Sequence, residues 1–163
     1  MMTKSISASI STILAMTAAM LAGCAHDDAT TRPADDQAET RLHLDPVTLP
    51  PDARQVTSRS GEYTVAYVSD PATIPNNELF SLRVWLIGDD GRPVSPSEYV
   101  VHIDADMPHH GHGMVNEPIV RRHDDGGYIV RDMLFHMPGY WELYVDVEHH
   151  GVIERSQFAI TIE

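Results

Sequence analysis

From Gly61 onward, apolar and polar residues alternate with a period of two, the repeat of a strand that buries one face. Tyr63, Val65 and Tyr67 alternate with Thr64 and Ala66, and Phe80, Leu82, Val84 and Leu86 with Ser81, Arg83 and Trp85. Tyr99, Val101, Ile103 and Ala105 alternate with His102, Asp104 and Asp106. A shorter strand is predicted near Pro118–Arg122, and another from Tyr128 to Phe135. Trp141, Leu143, Val145 and Val147 alternate with Glu142, Tyr144, Asp146 and Glu148, and Phe158, Ile160 and Ile162 mark a last strand. Asp89-Asp90-Gly91, Asp124-Asp125-Gly126-Gly127, Met137-Pro138-Gly139 and His149-His150-Gly151 supply turns between them. About seven short strands in about 100 residues predict an all-β fold, an immunoglobulin-like β-sandwich. The Cys…Trp…Cys signature of antibody domains is absent, and no internal repeat is evident.

The pattern ahead of Gly61 is different. Lys4 gives a short positive start, and Ile6 to Leu21 is moderately apolar, too short and too rich in Ser and Thr for a comfortable membrane span. Leu21-Ala22-Gly23-Cys24 resembles the lipobox of bacterial lipoproteins, which implies cleavage before Cys24 and lipidation of that residue. Two or three acyl chains anchor a protein firmly where one does not. The expected location is the cell envelope. Ala25, rather than Asp, after the cysteine points to the outer membrane, with the domain facing the periplasm. Residues 24–59 are rich in Asp, Thr, Ala and Pro without regular apolar spacing, and read as a flexible acidic tether. His26 and His43 fall in it and read as solvated. The expected organisation is a signal peptide at 1–23, a tether at 24–59 and the sandwich domain at 60–163.

Composition narrows the partners. Hydrophobic residues make up 42% and charged residues 21%, enough for a packed core. Of the 11 Lys and Arg, only Lys4 is a lysine. The chain after the signal therefore carries ten arginines against 24 acids, a formal net of −14. Such a chain is repelled by nucleic acid phosphate and by anionic headgroups, and attracts cations. The single cysteine removes a disulfide scaffold, and its lipidation would leave no thiol for catalysis or for metal.

The densest chemistry lies at Met107-Pro108-His109-His110-Gly111-His112-Gly113-Met114. Three of ten histidines fall in these eight residues, and the four methionines after the signal (Met107, Met114, Met133, Met137) all fall within 31 residues. Imidazole suits Cu, Zn and Ni, whereas thioether selects Cu(I), so a site offering both suits copper. In an extended chain His110, His112 and Met114 would share one side, and Met107 and His109 the other. Asp104, Asp106 and Glu117 nearby would concentrate cations. If the strands alternate in direction, His136 and Met137 return to the same end as this segment. His123 and the His149-His150 pair then lie at the opposite end. His102 and Met133 lie about 13 Å down their strands and are not expected as ligands.

The run Asp104–Gly113, then Gly127-Tyr128, then Phe135-His136-Met137-Pro138-Gly139-Tyr140-Trp141 with Leu143 and Val145, resembles the YtkA-like domain family, related to FixH-like proteins. The likeness spans about residues 61–163. It implies an all-β, extracytoplasmic domain associated with copper handling or haem–copper oxidase assembly, and copper ligation by Met107, His109, His112 and Met114. It also implies a structural role for Met137-Pro138-Gly139 with Trp141. FixH-like proteins keep a transmembrane anchor, whereas this chain has a lipobox.

The expected function is a lipid-anchored envelope copper-binding protein that delivers or sequesters the ion. Its candidate ligands are Met107, His109, His110, His112, Met114, His136 and Met137, and its partners a copper donor or acceptor protein. The alternative is a metal-free, immunoglobulin-like interaction module that binds a partner envelope protein, favoured if the 107–117 loop is ordered with its methionines buried and its histidines bonded to backbone. An enzyme is the weakest expectation, since no G-x-S-x-G, H-E-x-x-H or P-loop is present.

Overall fold

The computed structural model describes residues 44–94 and 97–163. The expected signal peptide, Cys24, His26, His43 and most of the expected tether lie outside the described residues. Among the described residues nine strands follow in order: β1 (Arg54–Thr57), β2 (Tyr63–Asp70), β3 (Leu79–Gly88), β4 (Tyr99–Met107), β5 (His112–Gly113), β6 (Ile119–Arg122), β7 (Tyr128–Leu134), β8 (Gly139–His149) and β9 (Val152–Ile162). They form two sheets, β1-β2-β3-β7-β6 and β5-β4-β8-β9. Every pairing is antiparallel. The order β2-β3-β7-β6 facing β4-β8-β9 is that of an immunoglobulin-type sandwich, so seven strands carry the fold. The other two, β1 and β5, are short additions that alternation over four or two residues does not reveal.

The inward residues meet as the period of two requires. Val65, Val84 and Val130 of one sheet and Ala105, Leu143 and Val145 of the other are fully buried. Edge-to-face ring pairs cross between the sheets, Tyr67 with Phe158 at 4.8 Å and Tyr63 with Tyr99 at 5.7 Å. In β7 the inward positions step from Tyr128 and Val130 to Met133, and Phe135 just past its end is buried too. A bulge against β3 between Phe80 and Leu82 absorbs the odd spacing, with Asp132 at φ +60°. Asn116 Nδ2 donates to the Asp132 carbonyl, pinning the crossing from β5 to β6.

The reading of 24–59 as tether is corrected at its C-terminal end. Arg54–Thr57 pairs with β2, from Arg54↔Tyr67 to Thr57↔Thr64. Val56 packs on the core, and the Arg54 guanidinium donates to Tyr67 Oη (3.1 Å) and to the Ala159 carbonyl (2.7 Å). Upstream, Val47 N–H donates to the Gly91 carbonyl at 2.8 Å. Gly126 (φ +84°) has Leu44 and Pro93 pressed where a Cβ would stand, so only glycine fits there.

Register fixes two poles. Asp106 lies opposite Glu142 and Tyr99 opposite His149. The end of β4, the start of β8 and residues 135–138 therefore share one pole. His123, His149, His150, Gly91 and the lead-in at Leu44 share the other, in agreement with the path expected from strand alternation.

Candidate metal centre

The Met/His segment is a hairpin. His110 N–H (2.9 Å) and Gly111 N–H (3.0 Å) both donate to the Met107 carbonyl, and Gly111 takes φ +70° to close the turn. Asp106 then pairs with Gly113 and Met107 with His112, and Met114 N–H donates to the Ala105 carbonyl at 3.0 Å. Cross-strand partners share a face, so Met107, His112 and Met114 lie on the inner face with Ala105. This corrects the extended-chain expectation that set Met107 apart from His112 and Met114. The turn at 108–111 reverses the chain, which an extended segment would not.

Residues 135–138 supply the second half of the pole. Phe135 and Trp141 stack with ring centroids 4.5 Å apart and an interplanar angle of 11°. Trp141 is fully buried, and its Nε1–H donates to the Met137 carbonyl at 2.9 Å, holding the turn before β8. His136 stands edge-on to Trp141 at 5.5 Å, and His112 reaches the same indole at 6.4 Å. The two imidazoles lie 5.2 Å apart, and His110 lies 5.8 Å from His112. His136 Nδ1 is buried and meets no hydrogen-bond partner among the described residues. A buried ring nitrogen without a partner carries a desolvation cost that a bound ion would relieve.

The remaining candidates divide. Met107 is fully buried, and its Cε lies 3.1 Å from where a Cβ on Gly139 would stand. Met114 and Met137 are half-buried against the core. His109 leaves the group, since it stacks on Tyr140 at 5.6 Å. Tyr140 lies on the outer face because it precedes the inward Trp141 by one residue. His102 is exposed on that outer face, and Met133 is fully buried in the core. Among the described residues, no three His, Cys, Asp or Glu side chains converge closely enough to hold an ion. Met107, Met114 and Met137 are the thioether-bearing residues at the pole that carries the His112–His136 pair.

The outer face beside the hairpin is acidic. Asp106 sits directly opposite Glu142. Glu142 accepts from Tyr144 Oη (2.7 Å) and Tyr140 Oη (3.0 Å). Burial, then the bond to Glu142, pushes the Tyr144 hydroxyl up to about 12. Sequence reasoning missed the Trp141–Phe135 platform under the two imidazoles, and the Tyr140 seat of His109. Period-two alternation through Tyr140 and Trp141 already assigned those rings to opposite faces.

Fold and pole together define a small all-β sandwich with one histidine- and methionine-bearing end. The chain belongs to the YtkA-like family, which matches residues 57–146, from the end of β1 to the middle of β8. A solved DUF4426 family protein from Pseudomonas aeruginosa PAO1 is similar at 16% identity and a TM-score of 0.48, over 67% of this chain and 96% of that one. No curated protein matches the chain.

Proposed function

We propose that this chain is a copper-binding module of the cell envelope, tied to a membrane through lipidated Cys24, that sequesters the ion or passes it to a partner protein. The observation that carries this reading is the His112–His136 pair, 5.2 Å apart, with His136 Nδ1 buried and unpartnered. His112 and His136 would hold the ion, with Met107, Met114 and Met137 as the thioether donors of the same pole and His110 at its margin. The bound ion would supply only its own exchangeable coordination. The chain's residues bind and orient it, and no catalytic group is invoked.

Titration with Cu(I) and with Cu(II) tests this. His112→Ala and His136→Ala should each abolish tight binding, and His123→Ala at the opposite pole should leave it unchanged. Met107→Leu conserves volume and should cost under about 1.5 kcal/mol of stability, so a fall in Cu(I) affinity there reports the lost sulfur. Unchanged binding in both histidine variants would overturn the reading. Radiolabelled lipid precursor should label the chain, and Cys24→Ser should not be labelled.

Full burial of Met107 favours the second reading, a metal-free interaction module in which the hairpin is a packed tip. Absence of copper binding in the intact chain would favour it.

A further inference from the structure

Among the described residues, one edge of the four-stranded sheet is only partly paired. β5 pairs only with Asp106 and Met107 of β4. Met114 N–H donates to the Ala105 carbonyl, so the odd-numbered residues of β4 turn their backbone groups toward the β5 side. Ala105 N–H is met by the carboxylate of Asp104 at 2.8 Å. Beyond it, Val101 and Ile103 present N–H and C=O groups that pair with no strand among the described residues, although β6 of the other sheet approaches β4. Their side chains agree, being 8% and 6% exposed where Leu143 and Val145 on the neighbouring β8 are 0%. At the other edge of this sheet, β9 is bridged by Arg54 onto the Ala159 carbonyl and by Ser60 N–H onto Glu154 at 2.8 Å. β4 has no proline, bulge or inward charge from Tyr99 to Ile103, the devices that usually blunt an edge.

The outward row of β4 sets the chemistry of what can pair there. Val100 is 52% exposed, and His102 and Asp104 are exposed beyond it. Glu98, Asp104, Asp106 and Glu142 make this border acidic, and Arg155 on the same face is held bidentate by Asp146 at 2.7 Å. A second copy would set Asp104 and its neighbours against themselves on a chain of formal net charge −13. We propose that the edge of β4 receives an extended segment of a partner protein, apolar on its core-facing side and bearing Lys or Arg on the other. Main-chain bonds to Val101 and Ile103 would give affinity, and a cation beside Asp104 would set register.

Amide hydrogen exchange tests this with an N-acetylated, C-amidated peptide of alternating valine and lysine. The peptide should slow exchange at Val101 and Ile103. Alternating valine–glutamate and glycine–lysine peptides should not, since each lacks one half of the recognition. Asp104→Lys, an exposed substitution that leaves the core intact, should weaken the valine–lysine peptide by about five- to tenfold and admit the valine–glutamate one. Three results would overturn the proposal: no protection, protection confined to β9, or protection of Val101 and Ile103 that grows with protein concentration in the absence of peptide. The last would assign the edge to a second copy.

Discussion

Gly139 shows how one residue can join the core to the candidate site. It holds φ +125°, a region that side chains rarely enter, and Met107 Cε lies 3.1 Å from the place of its missing Cβ. Gly139→Ala therefore meets backbone strain and overpacking together. It should cost about 2 kcal/mol in urea denaturation, and it should shift the near-ultraviolet signal of Trp141 two residues on. His136 is a different case at the same scale. Its ring is packed against Trp141 while Nδ1 stays without a partner, an arrangement that burial alone does not explain. From the sequence, an extended chain set Met107 and His112 on opposite sides of one run. The structure puts them on one face at different depths, Met107 fully buried at the end of β4 and His112 exposed in the two-residue β5.

At the level of elements, the β6–β7 turn makes a pH-dependent contribution to stability. Burial pushes the Asp125 carboxyl up, but bonds from Gly127 N–H, His123 and Arg83 outweigh it, so it ionises below the ordinary carboxylate range. The folded form binds this proton less readily than the unfolded chain, whose value is about 3.9. The turn's contribution is therefore complete above that value and is lost as pH falls through the depressed folded one. Asp125→Asn should flatten the acid limb of the stability profile. Solvent screening of this half-exposed group keeps the change within about 1 kcal/mol, measured by denaturation between neutral and acid pH. The strands themselves were legible because alternation is strict where one face is buried, as in Tyr99–Ala105 and Trp141–Val147. The bulge in β7 was legible only as the step from Val130 to Met133, and a single odd interval is easily overlooked. β1 was hidden because Val56 alone carries the apolar signal of a four-residue edge strand. The pole shared by His112 and His136 followed from counting strand reversals. The departure of His109 did not, since the hairpin's turn geometry decides it.

For the molecule as a whole, the two poles divide the chemistry. The His149–His150 pair, the Arg83–His123–Asp125 cluster and the lead-in at Leu44 occupy one, and the Trp141 platform with its paired imidazoles the other. Ile162 lies opposite Gly139, so anything appended after Glu163 emerges beside His112 and His136, whereas Leu44 joins the domain a full strand length away. A polyhistidine purification handle fused at the C-terminal side would thus set its own imidazoles next to the His112–His136 pole. It should raise the apparent copper stoichiometry in titrations, and proteolytic removal should restore the lower value. The same handle placed ahead of Leu44 should leave the binding curve unaltered. Which end of the chain is left bare is thus part of the design of any copper measurement on this protein.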